Sequence, residues 1–151
     1  MKPSKQFLLS VLLVALVAVP AMAALQRHYY SGWSYNSGKS YYYRSYYYKP
    51  VSSYNGYRYH YCIHYPTRPR YVYYYNPYAR VYWGRYDLME KGYSLLADAD
   101  RKEELDSIPE KAFPKPGEMP VIPESEDGER MIPIGANDLP MADAPKDAPA
   151  K

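Results

Sequence analysis

His60, Cys62 and His64 stand at every second position of the run His60-Tyr61-Cys62-Ile63-His64. On a β-strand alternate side chains share a face, so two imidazoles and a thiol project together. Imidazole nitrogen and thiolate sulfur are the ligand types that suit zinc or copper. Three donors on one face are a chemically sensible start for a metal site. Two features count against it. Residues two apart on a strand are separated by about 7 Å, so the side chains would have to converge on one ion. A structural zinc site also needs a fourth ligand, which only His28 offers, through a long-range contact. Nucleophilic use of Cys62 with His60 or His64 as base matches the residue types. It lacks a recognisable orienting group and oxyanion hole, and a histidine two residues away on the same strand is badly placed to take the thiol proton. Cys62 is the only cysteine. It is therefore buried, a metal ligand, or a partner in an intermolecular bridge.

A second constellation interleaves arginine with aromatic rings: Tyr43-Arg44, Tyr57-Arg58-Tyr59, Arg68-Pro69-Arg70-Tyr71, and Arg80 to Arg85 around Trp83. Guanidinium groups fork onto carboxylate, phosphate or sulfate, and aromatic faces stack on sugar rings or bases. Arg58, Arg68, Arg70, Arg80, Trp83 and Arg85 are thus the candidate contacts for an anionic polymer or glycan. The competing expectation is internal, with Tyr–Arg pairs holding a small sheet together. Charge is divided along the chain. Residues 24–93 hold ten Lys or Arg against two Asp or Glu, and residues 94–151 hold seven against fourteen. The overall charge of +3 is a cancellation, and the acidic half could fold back on the basic half and compete with a polyanion.

The elements that must position these residues are mainly β. All 22 tyrosines fall between Tyr29 and Tyr93. Residues 24–56 read as a flexible Tyr/Ser/Gly-rich basic arm with a degenerate repeat, Tyr41-Tyr42-Tyr43-Arg44-Ser45 followed by Tyr46-Tyr47-Tyr48-Lys49-Pro50. Residues 57–108 read as a small tyrosine-rich β domain. Its strands are predicted over Tyr57–Tyr65, Tyr71–Tyr75, Arg80–Tyr86 and Tyr93–Leu96, the last two forming a hairpin. One short helix is predicted over Ala99–Ser107, begun by Asp98 or Asp100 and stopped before Pro109. Residues 109–151 read as a proline-rich acidic tail, mostly disordered. Within it Val121-Ile122-Pro123 and Ile132-Pro133-Ile134 are expected to dock on the sheet as extended edge segments. The predicted fold class is a small antiparallel sheet plus one short helix, with long disordered segments. A core built from tyrosine is shallow, because each ring must also satisfy its hydroxyl.

Residues 1–23 have the form of a secretory leader. Lys2 and Lys5 precede an apolar core from Phe7 to Val19, Pro20 breaks it, and Ala21 and Ala23 supply the small residues of a cleavage site. A core of 13 residues is short of the roughly 20 that a spanning helix requires, so no membrane span is expected after cleavage. Export to the periplasm, cell envelope or exterior disfavours nucleic acid as the partner of the arginine–tyrosine surface. The stretch Asn76-Pro77-Tyr78-Ala79-Arg80-Val81-Tyr82-Trp83-Gly84-Arg85-Tyr86-Asp87, with Tyr93-Ser94-Leu95-Leu96 and Asp100-Arg101, resembles small exported tyrosine-rich proteins of planctomycete-like bacteria. The resemblance covers roughly residues 57–110 and brings no catalytic residues with it. The chain has no Gly-rich phosphate loop, Ser/His/Asp arrangement or Cys-x-x-Cys pair. It therefore reads as a non-enzymatic structural or adhesive envelope protein that self-associates or binds anionic polymers. A periplasmic zinc- or copper-binding protein using His60, Cys62 and His64 is the alternative.

Overall fold

The computed structural model describes residues 26–140. The expected leader with its cleavage residues Ala21 and Ala23, and the stretch 141–151 read as disordered, lie outside the described residues. Seven antiparallel strands form one sheet: β1 His28–Tyr30, β2 Ser34–Asn36, β3 Tyr41–Tyr48, β4 Arg58–His64, β5 Tyr71–Asn76, β6 Val81–Asp87 and β7 Gly92–Leu95. From β3 to β7 each strand pairs with the next, and β1 and β2 lie end to end along the outer edge of β3. The hairpin of β6 with β7 is as expected, with Tyr86 opposite Tyr93.

The expected flexible arm is corrected by this sheet, because residues 28–48 supply three strands, and β3 is the longest of all. Its sequence, YYYRSYYY, has no polar alternation, yet its residues alternate between half-buried and buried. Tyrosine serves on both faces, ring inward on one and hydroxyl outward on the other, so the period of two is hidden by composition. At the break between β1 and β2 the Ser31 hydroxyl accepts a hydrogen bond from the Ser45 amide at 2.8 Å, which keeps the edge in register.

The expected helix over Ala99–Ser107 is corrected too. Short 3-10 turns stand there, at Asp98–Asp100 and Leu105–Ser107. The reason lies in β6, where Trp83 is an extra residue bulged out between the pairs Tyr74–Gly84 and Tyr75–Tyr82. The Tyr82 amide donates at 2.8 Å to the Lys102 carbonyl, an acceptor that an α-helix would have used internally. Gly84 makes room beside the bulge: a Cβ there would lie 2.8 Å from the Tyr93 ring and 2.9 Å from the Ser94 carbonyl.

The chain after β7 then covers both sides of the sheet. Leu96, Leu105, Ile108 and Phe113 pack on one face with Ile63, Tyr73 and Tyr82. Gly117 crosses the β7 edge through two 2.9 Å backbone hydrogen bonds with Tyr93. Ile122, Met131 and Ile134 seal the other face over Tyr46, Tyr48, Cys62, Val72, Tyr74 and Trp83. The expectation of a mostly disordered tail from residue 109 therefore fails as far as Pro140. The two apolar triplets do dock, but on the sheet face rather than its edge. Proline-rich chain can do this because extended backbone needs few internal hydrogen bonds, and apolar burial replaces them.

Candidate functional site

Strand β4 brings His60, Cys62 and His64 to one face, as their spacing requires, and buries all three. It does not make them a ligand set. The His64 Nδ1–H donates to the Tyr71 carbonyl at 3.0 Å. His60 Nε2 lies 3.4 Å from the Tyr48 hydroxyl, with its ring edge-on to Trp83 and Tyr48. Burial lowers the pKa of both histidines, that of His60 to about 4. Cys62 is fully enclosed, and burial pushes its thiol up to about 12 against the pull of the Arg44 charge. Among the described residues no group of three or more His, Cys, Asp or Glu side chains is placed to hold a metal ion. A buried thiol held protonated also lacks the character of a nucleophile.

The arginines assigned to a polyanion are brought into a different arrangement: each meets a carboxylate of its own chain. Arg58 pairs with Glu124, Arg80 with Glu103, and Arg68 with Asp106 at 2.6 Å. Arg70 reaches Asp87 at 2.6 Å and Glu90 at 3.2 Å. Arg85 forks onto both carboxylate oxygens of Glu110 while its guanidinium stacks 3.8 Å from the Tyr71 centroid and 4.0 Å from that of Phe113. Arg27 similarly holds Asp127 at 2.9 Å. Hydrogen bonds from Arg85 and Arg70 hold the carboxyls of Glu110 and Asp87 below their ordinary pKa values. Trp83 is buried in the core and offers no stacking surface to an outside polymer. The folding back of the acidic half on the basic half, legible as charge asymmetry, is thus a set of specific ion pairs.

What stays open is tyrosine. On the face opposite Cys62, the outer strands present Tyr29, Tyr47, Tyr57, Tyr59 and Tyr61, with Tyr43 beside them and Tyr78 reaching over from the β5–β6 turn. Tyr29 stacks on Tyr47 at 4.9 Å, and Tyr59 meets Tyr47, Tyr61 and Tyr78 at 5.9, 5.6 and 5.5 Å. Tyr57 closes on Tyr29 at 5.1 Å, and Tyr43 on Tyr61 at 5.7 Å. Tyr29, Tyr47, Tyr57 and Tyr59 belong to neither buried cluster, and Tyr78 is 65% exposed. Sequence reasoning missed this surface because in β3 the odd-numbered tyrosines lie within a run whose even positions are mostly tyrosine as well.

No family model, no curated protein and no solved structure matches this chain.

On the other side of the sheet a cavity of about 600 Å³ opens between β6 and the 120–125 segment, walled by Val81, Trp83, Leu95 and Ile122, with Arg101 and Glu124 among its lining residues. His60 and Ser125 also line it, but Ser125 donates to Asp127 at 3.1 Å while His60 faces Tyr48, so they form no nucleophile–base pair. Among the described residues no helix is long and apolar enough to cross a membrane.

Proposed function

We propose that this chain is an exported structural or adhesive protein of the cell envelope or matrix, and that it holds polysaccharide on its tyrosine face. The observation that carries the reading is the contiguous set of tyrosine rings over β1, β3 and β4, half-buried at Tyr29, Tyr47, Tyr59 and Tyr61 and exposed at Tyr57 and Tyr78. Lateral contact fixes the rings in advance, so little side-chain entropy remains to be lost on binding. Along β3 and β4 this face carries Tyr41, Tyr43, Ser45, Tyr47, Tyr59, Tyr61 and Ile63, none of them charged. Export rests on the leader of residues 1–23. The arginines contribute to anionic polymers only by exchanging partners. Asp106 and Glu110 are largely exposed, and an incoming sulfate or uronate would have to displace them.

Co-sedimentation with insoluble neutral polysaccharides, and titration with a soluble sulfated one, test the proposal. Wild type is compared with the Tyr47→Ala/Tyr59→Ala double variant after circular dichroism has shown equal folding. The expected result is at least tenfold weaker retention of the double variant on the neutral polymers. Equal retention refutes the proposal. Concentration-dependent dimerisation in light scattering, abolished by the same substitutions, reassigns the face to self-association.

A further inference from the structure

Eight of the nine arginines between residues 26 and 140 have a carboxylate within 4.0 Å. Arg44 has none among the described residues and is also one of the most enclosed, at 7% exposed. Its guanidinium lies 4.1 Å from the Tyr30 ring centroid and 4.6 Å from that of Trp33. Both rings are held in place. The Tyr30 hydroxyl is paired with that of Tyr74 at 3.0 Å and donates to the Ile132 carbonyl at 3.2 Å, and the Trp33 indole N–H donates to the Asp138 carbonyl at 2.5 Å. The π faces satisfy the faces of the guanidinium. They do nothing for its edge, where the N–H donors point, and Nε and Nη2 are buried with no hydrogen-bond partner among the described residues.

Among the described residues no carboxylate pairs directly with Arg44; the nearest to its cage is that of Asp138, whose charge is felt at Tyr30. Cys62, directly across from Arg44 in the β3–β4 register, keeps its proton, and burial likewise raises the phenols of Tyr30 and Tyr74. His64, edge-on to Trp33, is neutral because burial lowers its pKa. Asp138 spends a carboxylate oxygen on the Gly135 amide at 2.9 Å. A buried guanidinium that has only the protonated Cys62 sulfur as a side-chain partner, with two N–H donors unmet, is an unstable arrangement in a low-dielectric interior. A planar fork with unmet donors along its edge is complementary to one kind of group, an oxyanion that accepts two parallel N–H bonds.

We propose that Arg44, caged by Tyr30 and Trp33, is a receptor site for one oxyanion: a carboxylate, a phosphate or a sulfate. The site lies on the face that carries Cys62, away from the tyrosine platform, so the two proposals stand or fall separately. It is tested on the mature chain labelled with ¹⁵N, following the Arg44 Nε–H and Trp33 indole signals. Sodium phosphate, sodium sulfate and sodium galacturonate are titrated in turn, each against sodium chloride at equal ionic strength. The expected result is saturable movement of both signals with at least one oxyanion, and the three titrations distinguish inorganic ion from sugar carboxylate. Arg44→Met, which replaces the cation by an apolar chain of similar reach, should fold and weaken the Trp33 response at least tenfold. Arg44→Lys, which keeps charge without the fork, should weaken it as well and guards against a misfolded Met variant. Chloride-like shifts with every oxyanion, or a Trp33 response unchanged in both variants, overturn the proposal. So does movement of the Arg44 signal in salt-free buffer on Asp143→Asn or Asp147→Asn, which would make the counter-charge internal.

Discussion

Acidification from pH 7 to pH 5 is expected to weaken the fold through His60 while the low-lying carboxylates are still silent. Burial holds the His60 imidazole at about 4 when folded, against an ordinary value of 6.5; the Glu124 charge opposes the shift but does not cancel it. The Tyr48 hydroxyl and Trp83 ring beside it supply no compensating charge. Because the folded pKa is the lower one, the unfolded chain takes up the proton first. Stability is therefore full above pH 6.5 and lost as the pH falls toward 4. A shift of this size corresponds to roughly 3 kcal/mol once complete, of which about 2 kcal/mol is lost between pH 7 and pH 5. His28 and His64 act in the same direction, so the wild-type slope alone does not isolate His60. The variant His60→Gln does, because its amide keeps a polar partner for Tyr48 and does not titrate. Urea denaturation of both proteins at pH 7 and pH 5 is the assay. Wild type should lose about 2 kcal/mol more than the variant over this interval. Equal losses would mean that His60 can charge in place, and would refute the account of its imidazole as held neutral by burial.

Three further outcomes follow from the packing. Gly84→Ala should cost about 1–3 kcal/mol in chemical denaturation, since the added methyl meets the Tyr93 ring and the Ser94 backbone. The Arg85–Glu110 pair should respond asymmetrically: Glu110→Gln, which strands an enclosed guanidinium, should be more destabilising than Arg85→Met, which leaves only a largely exposed carboxylate. Equal losses in the two variants would show that Arg85 is solvated. Cys62 should be inert to a thiol-disulfide reagent at pH 8 in the native state and react fully in denaturant. Native reactivity would contradict its burial.

The strand spacing of His60, Cys62 and His64 and the β6–β7 hairpin were legible in residue order, because period and turn chemistry are local properties; the two apolar triplets were legible as docking segments, but not the sheet face they would cover. The charge asymmetry also foretold that the acidic half would meet the basic half. The conformation of residues 28–48 was not legible. A run of tyrosines can be low complexity or strand, and only its partners β1, β2 and β4 decide which. Local propensity favoured a helix at 99–107, but the Trp83 bulge left the Tyr82 amide in need of the Lys102 carbonyl.

The sequence by itself determined which side chains were available: an apolar N-terminal run, arginines set among tyrosines, a single cysteine and a surplus of acid in the second half. Tertiary structure alone decided their employment, because charge pairing and burial depend on distances between residues far apart in the chain. Arg58, Arg68, Arg70, Arg80 and Arg85 found carboxylates as many as 66 residues away. Arg44, with the same chemistry, was folded among rings and left without one among the described residues.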